Sequence, residues 1–101
     1  MWLPPQQGTI KLNTDGAARG CPGPAGLGIS CRNHQGDFLG IFTQGLGICN
    51  NYWAEFYAVL AAMELAQEKG WREIWIETDS KAVVSAIYSH KLAWRIFFFA
   101  K

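Results

Sequence analysis

The chain has 101 residues, a formal net charge of +1, half of its residues apolar and 14% aromatic. That is enough for one domain with a real core, and too apolar for a disordered tail. The nine basic residues are scattered and nearly balanced by eight acidic ones, which excludes a module that holds nucleic acid through bulk charge alone. Met1 to Pro5 contains two prolines and no apolar leader run. The longest greasy stretch, Ile96 to Ala100, is far too short to cross a bilayer. Cys21, Cys31 and Cys49 lack the close spacing of a zinc knuckle and fit a reduced compartment. A soluble protein of the cytosol or nucleus, with no membrane partner, is expected.

Residues 1–8 read as an extended lead-in, because paired prolines forbid helix, and the rest, 9–101, reads as one domain. Thr9 to Thr14 alternate, with Ile10, Leu12 and Thr14 on one face, so a strand ends at Asp15-Gly16. The stretch GAARGCPGPAG reads as a loop. Leu27 to Arg32 predicts a second strand, Asn33 to Gly36 a turn and Asp37 to Gln44 a third strand. Short connections make these three an antiparallel meander. The period then turns helical from Asn51 to Lys69, with Asn50 or Asn51 as cap, Gly70 as stop and an apolar band of Tyr52, Phe56, Val59, Leu60 and Met63. Glu73 to Thr78 alternates as a fourth strand, and a second helix starts near Ser80 and runs to about Tyr88.

This order predicts an α/β fold in which the long helix crosses over to bring the fourth strand in parallel with the first. Asp15 and Asp79 then end neighbouring strands on the same side, and Glu55 lies about one turn into a helix that starts there. Three carboxylates at one sheet edge repel unless a cation lies between them. Hard oxygen donors suit Mg²⁺ or Mn²⁺, whose remaining waters exchange for phosphate oxygens. Taken singly, each acid has a plainer reading: Asp15 as a turn residue, Asp79 as a helix cap, Glu55 as a partner of the helix dipole.

The stretches WLPPQQGTIKLNTDGA, GCPGPAGLGISCRNHQG, WAEFYAVLAAMELA and IWIETDSKAVVSAI, in this order, resemble the ribonuclease H-like domain found in plants beside, or descended from, retrotransposon reverse transcriptases. The resemblance implies a magnesium-dependent endonuclease that hydrolyses the RNA strand of an RNA–DNA hybrid. Asp15, Glu55 and Asp79 match that family's metal-binding, catalytic carboxylates. It also implies nucleic-acid contacts at Gly16, Gly23, Gly26 and Asn51. Cys21 replaces a loop asparagine of the family, and Tyr52 fills a slot the family gives to asparagine. The family continues into a fifth strand and a final helix with a fourth aspartate, whereas no aspartate follows Asp79 here. The expectation is therefore a truncated domain, its fifth strand and final helix missing, its fourth strand an open edge beside the aromatic run Trp94 to Phe99, and its turnover lost or weakened. The alternative is a non-catalytic nucleic-acid-binding remnant.

Overall fold

The structure, a computed structural model, describes residues 8–20, 22–71, 73–78, 80–88 and 95–100. The expected lead-in over 1–7, Cys21 and Asp79 lie outside the described residues. Five strands and two helices follow in the order β1 (Ile10–Ala18), β2 (Gly23–Arg32), β3 (Phe38–Cys49), α1 (Asn51–Lys69), β4 (Glu73–Thr78), α2 (Lys81–Tyr88) and β5 (Arg95–Ala100). They build one sheet in the order β3-β2-β1-β4-β5. The β1–β2 and β2–β3 pairs are antiparallel, and β1–β4 and β4–β5 are parallel.

The meander, the crossover helix and the parallel fourth strand are as the alternation and the change of period predict. Three expectations are corrected. Most of the glycine-proline stretch is strand rather than loop. β1 continues to Ala18 and β2 begins at Gly23, pairing Ala18 with Ala25 and Ala17 with Gly26. Proline is tolerated there because Pro24 enters through its carbonyl, which accepts from the Arg19 N–H at 2.8 Å. β3 runs to Cys49, five residues beyond its expected end at Gln44. The fifth strand is present, pairing Glu73 with Arg95 through Thr78 with Ala100, so β4 is not an open edge. RIFFFA is an unbroken apolar run after Arg95, without the alternation by which a strand is read from sequence.

One sheet face carries the core. Leu12 of β1, Ile29 and Cys31 of β2, and Ile74 and Ile76 of β4 are buried there under Ala58, Val59 and Ala62 of α1 and Val83 of α2. The buried face of α1 is drawn by alanines, Ala54, Ala58, Ala62 and Ala66, at four-residue steps, with Val59, Met63 and Leu65 beside them. Tyr52, Phe56 and Leu60 of the expected apolar band are partly buried and pack against this core. Alanine brings helix and sheet close together, and it is a strong helix former. Asn50 caps α1 through its side chain, which accepts from the Trp53 N–H at 2.9 Å. Gly70 ends it in the left-handed region at φ 74°, where a residue with a Cβ would be strained.

Two polar links tie β1 to β4. The Lys11 ammonium pairs with the Glu77 carboxylate at 2.9 Å. The Thr14 hydroxyl donates to the Glu77 carbonyl at 2.9 Å. At the far side β3 has one neighbour, β2, among the described residues. Its twelve residues carry no charge, and Phe38, Leu39, Ile41 and Ile48 are exposed along it.

Candidate active site

Asp15 lies within β1, opposite Gly28 of β2, and is exposed. The strand continues past it, so Asp15 stands on the sheet rather than at its rim. The next residue faces the opposite way and is buried. Gly16 sits against the first turn of α1, where an added Cβ would fall on the Ala54 carbonyl and 2.7 Å from the Glu55 nitrogen. Backbone lines the far side of this contact and cannot give way as the end of a side chain could. Glycine is therefore required here, and its absence of a side chain sets the backbone of Glu55 beside the residue that follows Asp15.

Glu55 is half-buried and has an interaction partner. It is the fifth residue of α1, and the first turn holds no acid, so a role opposite the helix dipole does not account for it. Ser80 caps α2: its hydroxyl accepts from the Val83 N–H at 3.2 Å and its carbonyl from the Val84 N–H at 3.2 Å. The parallel register sets Ile10 opposite Ile74 and Asn13 opposite Glu77, which brings Thr78 level with Thr14. Asp79 follows Thr78 in sequence, and its own placement lies outside the described residues. Among those residues, no group of three His, Cys, Asp or Glu side chains is gathered closely enough to hold a metal ion.

The other expected contact residues divide. Gly16 is buried under α1, and Gly23 is buried against the Arg19 carbonyl, with no room for a Cβ at either position. Their smallness serves packing of the fold itself. Gly26 is half-buried and lines the surface beside Asp15. Asn51 is exposed, and its side-chain oxygen accepts from the Ala18 N–H at 2.7 Å, fastening the end of β1 to the start of α1. Sequence reasoning missed this second use of Asn51, because its partner lies 33 residues away.

An open groove of about 460 Å³ runs along the sheet beside Asp15, bordered by Ala17, Gly26, Gly28, Thr43 and Gly45. Small side chains leave the backbone there accessible to a large, flat ligand. Asp15 sets a carboxylate, a hard oxygen donor, on the border of this groove, and Glu55 is not among its lining residues.

Sheet order, crossover helix and acid-lipped groove define a ribonuclease H-like domain. The profile of the reverse transcriptase-like family matches residues 13–94, and the chain belongs to that family. It is 37% identical over 83 residues to a provisionally named ribonuclease H protein of Arabidopsis thaliana, covering 82% of this chain and 13% of that one. Among solved structures it is similar to the N-terminal ribonuclease H domain of a Mycobacterium tuberculosis protein, with TM-score 0.80, 25% identity and coverage of 92% and 86% of the two chains. It is also similar to a ribonuclease H1 from compost in complex with an RNA/DNA hybrid, with TM-score 0.76, 25% identity and coverage of 91% and 84%. The chain spans 54% or less of the length of the curated relatives it matches. No helix among the described residues is long and apolar enough to cross a membrane.

Proposed function

We propose that this chain is a hybrid-directed endoribonuclease domain, in which Asp15, Glu55 and Asp79 hold magnesium or manganese against the RNA strand of an RNA–DNA duplex. The observation that carries the reading is the contact of Gly16 with Ala54 and Glu55. A glycine there has a steep requirement and a single geometric result: it brings the helix carrying Glu55 down beside the strand that exposes Asp15. The relative solved with an RNA/DNA hybrid supports the same substrate class.

A divalent ion at these acids would lower the pKa of a bound water and offset charge on the phosphate under attack. The chain's own contributions are distinct. Asp15 presents an exposed carboxylate on the groove. Glu55 supplies a second from a helix that cannot drift, being pressed on glycine and alanine. The groove admits the sugar–phosphate backbone over Gly26 and Gly28. Asn51 orders the strand end and stands at the helix start, where a sugar edge would pass. The free thiols of Cys31 and Cys49 suit the cytosol or nucleus, where glutathione keeps such groups reduced.

Binding without cleavage is the second reading: the open groove beside Asp15 admits a backbone whether or not the acids hold an ion. One assay separates the two. A 5′-labelled RNA–DNA hybrid is incubated with the chain in Mg²⁺, in EDTA, and with Asp15→Asn. Cleavage to products with 3′-hydroxyl ends, lost in EDTA and in the variant, supports the first reading. Background cleavage in all three, with a gel shift of the hybrid, supports the second. Neither cleavage nor shift overturns both.

A further inference from the structure

We propose that Arg19 grips a phosphate of the nucleic-acid backbone a few nucleotides from the one held at Asp15, setting the register of the strand on the acids. The proposal rests on the nucleic-acid reading above and adds a residue to it.

A second open groove, of about 420 Å³, follows the β1–β2 hairpin and is bordered by Ala17, Ala18, Arg19, Pro24 and Gly26. It shares Ala17 and Gly26 with the groove beside Asp15. The two form one track, with a carboxylate along it and a guanidinium at its outer end. Along a strand, four residues span roughly 13 Å, more than the separation of adjacent phosphates on one backbone. A phosphodiester backbone lying in the track would therefore meet both charges at different phosphates.

Arg19 is exposed, and no acid lies within ion-pair distance of it among the described residues. Lys11 is spoken for by Glu77, Arg32 lies over the Phe38 ring with its centroid 5.5 Å away, and Lys69 stands in the last turn of α1. Arg19 is the described cation that borders the track.

The backbone beneath it is held with unusual care. Its N–H donates to the Pro24 carbonyl at 2.8 Å. Its carbonyl lies where a Cβ on residue 23 would be, so only glycine fits opposite. The preceding residue, Ala18, is fastened to Asn51. A guanidinium on a fixed base forms its hydrogen bonds to phosphate with less ordering cost than one on a mobile tip, and its fork matches phosphate oxygens.

The test follows anisotropy of a fluorescein-labelled RNA–DNA hybrid in Ca²⁺, which permits binding without turnover, from 50 to 300 mM NaCl. Each neutralised phosphate contributes about 0.9 to the slope of log K against log salt. Arg19→Gln should weaken binding and make the slope shallower by about 0.9. Arg19→Lys should restore the slope, while Lys69→Gln, on a cation away from the track, should leave it unchanged. Circular dichroism melting of each variant checks that the fold is retained, and Arg19→Ala serves as a second neutral variant. Hybrid binding by the unaltered chain with the same slope in both neutral variants overturns the role of Arg19 and leaves the nucleic-acid reading standing. No hybrid binding by the unaltered chain overturns both.

Discussion

Asn51 accepts the Ala18 N–H at 2.7 Å, joining the end of the first strand to the start of the first helix. Neighbouring Asn50 caps the helix itself, so two successive asparagines divide the tasks of starting α1 and fixing the hairpin. Asn51→Ala should lower stability by about 1 kcal/mol, read by urea unfolding. It should also weaken hybrid binding, because the hairpin end loses its anchor. Asn50→Ala should cost about as much stability through the lost cap, with a smaller effect on binding.

Gly16→Ala should be far more damaging than its single methyl suggests. The added Cβ meets backbone at Ala54 and Glu55, so helix and sheet must part. Overpacking of this kind costs about 1–3 kcal/mol, and the value here should fall at the upper end. Gly28→Ala, at a position with open space around it, should cost much less. Thermal unfolding of the pair measures the difference.

The ion pair between β1 and β4 gives a third test. The Lys11 and Glu77 side chains are 9% and 22% exposed, so removing one charge leaves the other poorly solvated. Glu77→Gln should cost about 2 kcal/mol. Replacing both partners with apolar residues, Lys11→Met with Glu77→Leu, should recover most of that loss. A double variant as unstable as the single would show that the pair matters through its other contacts.

Burial pushes the Cys31 thiol up to about 11, against a smaller opposing pull from the Lys69 ammonium. The unfolded chain releases this proton near the ordinary value of 9.0, whereas the folded chain keeps it to about 11. Folding therefore retains the full contribution of the neutral thiol below pH 9 and loses it progressively as the pH rises toward 11. The melting temperature should fall more steeply over that window in the unaltered chain than in Cys31→Ala. A thiol reagent at pH 8 should modify half-buried Cys49 before Cys31.

Periodicity and punctuation made much of this fold legible. Asn51–Lys69 and Glu73–Thr78 have the bounds that helix caps and alternation predict. The β1–β2 hairpin was hidden because glycine and proline signal a loop by composition. Its strands close through Gly23 and the Pro24 carbonyl, a fit visible only once Arg19 lies opposite. β5 was hidden because an unbroken apolar run has no period. At the site, strand order and the crossover helix predict that Asp15 and Glu55 converge, and the structure sets Gly16, the residue after Asp15, against the Glu55 backbone. The sequence offered Gly16 as a nucleic-acid contact, since nothing in a linear reading shows which glycine faces inward.

The uncharged outer strand β3 has a bearing on how the protein behaves in a test tube. A long, greasy border with no strand beside it among the described residues is a template onto which a second molecule can lay its own border. Solubility will then be limited by the outer border of the sheet. A single lysine in place of Ile41, which is 65% exposed, should raise the concentration at which light scattering sets in, while hybrid binding stays as it was.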